Sequence, residues 1–260
     1  MGRYIKLDEG SVTFSEIFDD AKFTEQYKKA ERITGQHAKQ VIEQAGVMEY
    51  AEQHDRLTIL DTACGTGVVS SLIVSALAFS SSSQAKLQLT CADLSESMIA
   101  SVQKRIELKK WPATAVKAGG MDTGLPSDHF NFVFCNFGPS ILPSPQKGVA
   151  ESFRMLLPGG VVRVHELGIC AGQELPRLPE DDEFLDTFAP DGHRWGDAEE
   201  VKRNLEGRGF VDVKTTYTTR HTVLESYREW VDMLPGSVDM VANQCWRAAE
   251  KEAWKGEVER

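Results

Sequence analysis

Basic charge is in short supply: 29 Lys plus Arg stand against 39 Asp plus Glu, a formal charge of −10. So acidic a chain repels a phosphate backbone unless a local basic face offsets the field, which argues against nucleic acid as a partner. Paired cysteines are also lacking. Cys64, Cys91, Cys135, Cys170 and Cys245 lie far apart without a C-x-x-C spacing. That leaves no evident zinc site and fits reduced thiols in a cytoplasmic protein. No run approaches the roughly 20 apolar residues that span a bilayer, and the start of the chain has no apolar segment of signal-peptide length. A soluble cytoplasmic protein with no membrane partner is expected. Lys6 stands where a myristoylation signal after Met1-Gly2 wants Ser or Thr.

What is present is enough for a full core. The 260 residues suit one large domain, and apolar patterning divides it into strands alternating with helices. Residues 14–50 carry helical spacing (Phe14, Ile17, Phe18, Phe23, Tyr27, Ile33, Ala38, Val41, Ile42), with Gly35 expected to break the middle and Gly46 to end the last helix. Short apolar runs at 57–61, 87–93, 113–117, 130–137, 161–166 and 210–219 read as six strands. Residues 80–83, all serine, read as a surface linker, and Leu157-Pro158-Gly159-Gly160 as the turn before strand five. The fold class this predicts is α/β, a doubly wound, mostly parallel sheet. Its parts would be a helical cap (14–55), a cofactor-binding core (57–166), a lid or acceptor region (168–197) and a C-terminal strand with helices (198–260).

The most informative stretch is Leu60-Asp61-Thr62-Ala63-Cys64-Gly65-Thr66-Gly67, a strand ending in an acid and then a small-residue turn before a helix. Glycines let a ligand approach the backbone, and the free N–H groups of the helix favour an anionic group. The turn is not G-x-G-x-x-G, because Ser70 occupies the third glycine position. Asp61 would repel a pyrophosphate but attract an ammonium. The methionine part of S-adenosylmethionine offers both an ammonium and a carboxylate, and Asp93, ending the second strand, suits ribose hydroxyls. A nicotinamide cofactor is disfavoured on the same grounds.

Four segments in order resemble the class I S-adenosylmethionine-dependent methyltransferases. The loop above looks like their first motif, with Ala63 where many members have glycine. Ala92-Asp93-Leu94-Ser95-Glu96-Ser97-Met98 is similar to the second-strand motif, Met121-Asp122-Thr123-Gly124-Leu125-Pro126 to the segment near the adenine amino group, and Leu157-Pro158-Gly159-Gly160 to the turn before strand five. Tyr27, Thr34-Gly35 and Gly46-Val47 resemble small-molecule methyltransferases of fungal secondary metabolism, some of which act on dithiols. The resemblance implies a Rossmann-like fold and S-adenosylmethionine as cofactor, with S-adenosylhomocysteine as product. The implied contacts are Tyr27, Thr34, Asp61, Ala63, Cys64, Gly65, Gly67, Asp93, Leu94, Met98, Met121, Asp122 and Asn136. Cys135-Asn136-Phe137 lacks the acid of metal-dependent catechol-type members, so no metal is expected.

A small-molecule acceptor with a hydroxyl or thiol must lose a proton, and a histidine is a suitable base. His165, at the end of strand five where open α/β sheets face their ligand crevice, and His193, beside Trp195, are the candidates. His37 reads as a helix-face residue. One departure stands out: the family's usual seventh, antiparallel strand is missing. The resulting edge predicts a homo- or hetero-oligomer, and leaves open a cofactor-binding protein that is non-methylating or acts as a partner subunit.

Overall fold

The computed structural model describes residues 14–78, 81–165 and 197–218. Five parallel strands form one sheet in the order β3-β2-β1-β4-β5: β1 (Leu57–Thr62), β2 (Leu87–Asp93), β3 (Ala113–Lys117), β4 (Phe130–Asn136) and β5 (Leu156–His165). β1 is buried along its whole length and β4 nearly so, the mark of central strands covered on both faces. In chain order the helices are α1 (Phe14–Asp19), α2 (Ala21–Ala45), α3 (Val47–Gln53), α4 (Val68–Leu77), α5 (Ser81–Lys86), α6 (Glu96–Lys109), α7 (Pro145–Met155) and α8 (Ala198–Glu206). Ile59, Phe132 and Phe134 pack with Val41, Val69, Ile73 and Val102 in the larger core cluster, whereas Leu60, Val133 and Met155 build a separate one. The winding runs outward from β1 to β3 and then reverses to β4. The crevice therefore opens outside the C-terminal ends of β1 and β4.

Thr58 and Asn131 pair with each other inside the sheet. Thr58 N–H donates to Asn131 Oδ1 at 2.8 Å and Asn131 N–H to Thr58 Oγ1 at 3.1 Å, while the Asn131 amide donates to the Tyr50 hydroxyl at 2.7 Å. This ties α3 to the ends of β1 and β4 away from the crevice.

Four local expectations are corrected. Gly35 does not break the helix: α2 runs through it, with room for the neighbouring α4, since a Cβ there would meet Val68 Cγ2 at 3.5 Å. Glycine weakens a helix by only about 1 kcal/mol, which packing overrides. Gly46 does end α2, at φ 73°. The serine run enters helix α5 rather than staying a linker. Leu157-Pro158-Gly159-Gly160 lies inside β5 as an irregularity between the pairs Leu156↔Phe130 and Val161↔Phe132. The sixth strand does not form over 210–218: Asp212 turns left-handed (φ 53°), and Val211 and Tyr217 are exposed. Among the described residues no strand follows β5; of the helices expected over 198–260, one forms as α8 (Ala198–Glu206) and the later ones lie outside the described residues.

Candidate functional site

Every second residue of the loop after β1 is left-handed: Ala63 (φ 50°), Gly65 (φ 54°) and Gly67 (φ 84°). At Gly65 the absent side chain matters for space as well, because a Cβ would lie 3.4 Å from Tyr27 Cε1. The ring of Tyr27 on α2 therefore rests on the loop. Ala63 keeps its methyl in a conformation costing on the order of 1 kcal/mol. A Cβ added to Gly138 would approach Ala63 Cβ to 3.2 Å, so the loops after β1 and β4 touch where the winding reverses.

Asp61 is 1% exposed. Its Oδ2 accepts from Ser70 N–H at 3.0 Å and from the Ser70 hydroxyl at 2.7 Å. Ser70 is the third residue of α4, so this carboxylate caps a helix whose N-cap, Gly67, has no side chain to do so. Burial pushes the Asp61 carboxyl up to about 7, against the pull of both Ser70 bonds and with a further push from Asp93. Asp93 spans two loops: Oδ2 accepts from Gly65 N–H at 2.8 Å and Oδ1 from Ser95 N–H at 2.9 Å. Burial raises it too, and these bonds oppose the rise. The Tyr27 hydroxyl is pushed up to about 12 by burial, then by Asp93 and Glu31.

Glu31 and Arg105 carry no local motif, yet they join this assembly. Glu31 Oε1 accepts from Thr66 Oγ1 at 2.5 Å and from Arg105 Nη2 at 2.6 Å, fastening α2 to the glycine loop and to α6. The only sequence signal is helical spacing: Glu31 lies four residues after Tyr27 and three before Thr34. Thr34 turns its hydroxyl back to the Ala30 carbonyl at 3.3 Å. Cys64 is buried, its Sγ 3.7 Å from the Gly65 carbonyl, and burial pushes the thiol well above its ordinary value. It is a packing residue in an inert state.

The remaining candidates fall into two places. Leu94 is exposed and adjoins Gly119, in the turn closed by the Gly119↔Asp122 bridge that carries half-buried Met121 and exposed Asp122. Met98, by contrast, is fully buried in the first turn of α6. That Gly119–Asp122 turn is pinned through the next residue, Thr123, whose N–H and hydroxyl donate to buried Glu151 on α7 at 2.9 and 2.6 Å. Across the sheet, Asn136 and His165 are register partners at the ends of β4 and β5. Asn136 Oδ1 is buried with no hydrogen-bond partner among the described residues.

His165 is half-buried, and its ring centroid lies 4.5 Å from that of His37 on α2 and 4.8 Å from that of Phe137. Burial, and after it His37, lower the His165 imidazole to about 4. His37 thus belongs to the site region, contrary to its reading as a face residue. Its spacing from Thr34 and Val41 puts it on the inward stripe of α2. His193 lies outside the described residues. The structure thus groups Tyr27, Ala63, Gly65 and Asp93 at the ends of β1 and β2, and Asn136 with His165 at the ends of β4 and β5. With Asp61 and Asp93 beside the loop and the charge of Glu31 offset by Arg105, the local field suits a cation and opposes a pyrophosphate.

Residues 59–160 match a family described as "Methyltransferase domain". Methyltransferase tpcH of Aspergillus fumigatus is 27% identical over 258 residues, spanning 93% of this chain and 87% of that protein. Acetylaranotin bis-thiomethyltransferase of Aspergillus terreus is 28% identical over 239 residues, spanning 88% and 81%. Among solved structures, a SAM-dependent methyltransferase from Aquifex aeolicus matches with a TM-score of 0.54 at 17% identity, covering 73% of this chain and 88% of that one. At such identity the likeness is one of fold. The chain spans about half the length of two further solved chains of similar fold.

Proposed function

We propose that this chain, a methyltransferase by its domain and its relatives, moves the methyl group of S-adenosylmethionine to an oxygen, sulfur or nitrogen atom of a small molecule, a secondary metabolite. The observation that carries this reading is the convergence of Tyr27, Gly65 and Asp93 on one loop at the reversal of the winding. When bound, the cofactor supplies an electrophilic methyl on a sulfonium, together with an ammonium and ribose hydroxyls.

The residues present fit such a group. Asp93 would accept from the ribose hydroxyls in exchange for part of its bonding to Gly65 and Ser95. The unpartnered Oδ1 of Asn136 offers an acceptor to a ligand donor. Asp61 acts through its field, since one of its oxygens is committed to Ser70. Leu94, Met121 and Asp122, exposed or half-buried around one turn, would line the adenine end. Tyr27 and α2 cover the loop and exclude water, which counts because methyl transfer gains chiefly from alignment and desolvation. His165, lowered to about 4, is neutral at pH 7 and, as a weak base, takes up the acceptor's proton only once that proton turns acidic as the new bond to the methyl forms.

The acidic surroundings also favour the reaction's direction of binding. The cofactor arrives with its sulfonium charge and the product leaves without it, so the field of Asp61 and Asp93 holds the former more tightly.

Incubation with S-adenosylmethionine and a panel of dithiols, phenols and amines, followed by mass spectrometry, tests the proposal. A mass gain of one methyl group on one acceptor class is expected, and His165→Ala should lower turnover at least tenfold while sparing cofactor affinity. Cofactor binding with no methyl gain on any acceptor would favour a non-methylating role.

A further inference from the structure

Resting on the methyltransferase reading, we infer that Glu31 is a positioning residue for the cofactor, setting the glycine loop from α2 before any ligand arrives. Gly65 and Gly67 have no side chains, so between them Thr66 is the one point at which the turn can be gripped. Thr66 is 1% exposed, and its hydroxyl donates to Glu31 Oε1 at 2.5 Å. The same oxygen accepts from Arg105 Nη2 on α6 at 2.6 Å, and both side chains of this ion pair are 21% exposed. A charge-assisted pair so enclosed is stronger and less screened than one on the open surface.

A turn that is left-handed at Ala63, Gly65 and Gly67 has many other conformations open to its glycines, and a ligand that needs this one must bear the cost of selecting it. Two amides mark the selected form: Gly65 N–H donates to Asp93 Oδ2 at 2.8 Å and Gly67 N–H to the Cys64 carbonyl at 2.9 Å. Glu31 lies one helical turn after Tyr27, whose ring rests on Gly65, so one face of α2 holds the loop twice. That face is itself braced. The Ser95 and Ser97 hydroxyls donate to the Phe18 and Asp19 carbonyls at 2.6 and 2.7 Å, and Glu96 N–H donates to Asp19 Oδ1 at 2.8 Å. Phe18 and Phe23 close on Tyr27 with ring centroids at 6.0 and 5.9 Å. The N-terminal helices are thus fastened to the start of α6 and again to Arg105. Because Glu31 is engaged by Thr66 and its charge is offset by Arg105, it acts on the ligand through the loop. It therefore serves S-adenosylmethionine and the product without the sulfonium charge alike, unlike Asp61.

The test is calorimetry with S-adenosylmethionine and S-adenosylhomocysteine on the whole chain, in wild type, Glu31→Ala, Glu31→Gln, Thr66→Val and the double variant Glu31→Ala/Thr66→Val, together with amide hydrogen exchange without ligand. Glu31→Ala should weaken both ligands to the same extent, by about tenfold, while turnover at saturating cofactor on the acceptor found by the screen above stays within about threefold of wild type. Glu31→Gln keeps an oxygen for Thr66 and should stay within about threefold in affinity. Thr66→Val should match Glu31→Ala, and the double variant should be little worse, since one contact is lost in all three. In the ligand-free chain the Gly65 and Gly67 amides should exchange about tenfold faster in Glu31→Ala and in Thr66→Val. Where Glu31→Ala fails to fold, Thr66→Val carries the same test from the other side of the contact. Unchanged affinity in Glu31→Ala or Thr66→Val, losses that add in the double variant, or a Glu31→Gln loss as large as that of Glu31→Ala would overturn the role. A wild-type chain that binds neither adenosyl ligand would instead strike the methyltransferase reading and the positioning role with it, even with the loop amides quickened.

Discussion

Asp61 serves two ends at the residue scale. Its carboxylate closes the first turn of α4 through Ser70 and sets a negative charge behind the glycine loop. The sequence foretold an acid beside small residues but not the cap, because the capping partner lies nine positions on and is recognised only once strand and helix are folded together. Since its folded value, about 7, exceeds the ordinary carboxylate value, the folded state keeps a proton that the unfolded chain releases. Its contribution to stability is full below about pH 4 and is lost as the pH rises through about 7. Asp61→Asn keeps an oxygen for Ser70 and removes the buried charge. Thermal unfolding of the ligand-free chain should show the variant more stable by on the order of 1–3 kcal/mol at pH 8 and little changed at pH 4. Equal stability at both values would place Asp61 as an ordinary ionised cap. His37 was harder to foresee, since a lone histidine on an amphipathic helix signals nothing until β5 brings His165 beneath it.

Elements were legible where one period dominated. The strands β1, β2, β3 and β4, the cap Gly46 and the order of strands and helices follow from apolar runs and turn residues. The expectations that failed rested on single residues overridden by packing: Gly35 inside α2, the serine run entering α5, and residues 210–218, whose alternation is broken by left-handed Asp212. The turn bearing Met121 and Asp122 depends on a contact between elements. Glu151 on α7 receives Thr123 and Arg154, and the Arg154 bond, followed by the Thr123 bonds, lowers its carboxyl to about 2 despite burial. Glu151→Ala leaves these donors unpaired and should cost about 2–3 kcal/mol at pH 7 in denaturant melts. Because the folded value lies below the ordinary one, that contribution is full above about pH 4.5 and fades as the pH falls toward 2. The gap between wild type and variant should therefore narrow at pH 3. A constant gap would mean that lost packing, and not the charge, is responsible.

For the whole molecule, the strand order β3-β2-β1-β4-β5 decides where chemistry can occur. It opens one crevice, between the loops after β1 and β4, and every described candidate except buried Met98 lies on a loop, strand end or helix facing that end of the sheet. Candidate cofactor residues could be named because most of them cluster in short motifs. The acceptor half was not legible, since the region expected to form it, 168–197, carries no motif and all of it but Asp197 lies outside the described residues. The central claim is that this crevice takes a cationic adenosyl ligand through Asp93. Calorimetry with S-adenosylmethionine and with NADH on the full chain and on Asp93→Ala tests it directly. Wild type should bind S-adenosylmethionine and not NADH, with affinity falling at least tenfold in the variant. Binding of NADH alone, or equal S-adenosylmethionine affinity in Asp93→Ala, would contradict it.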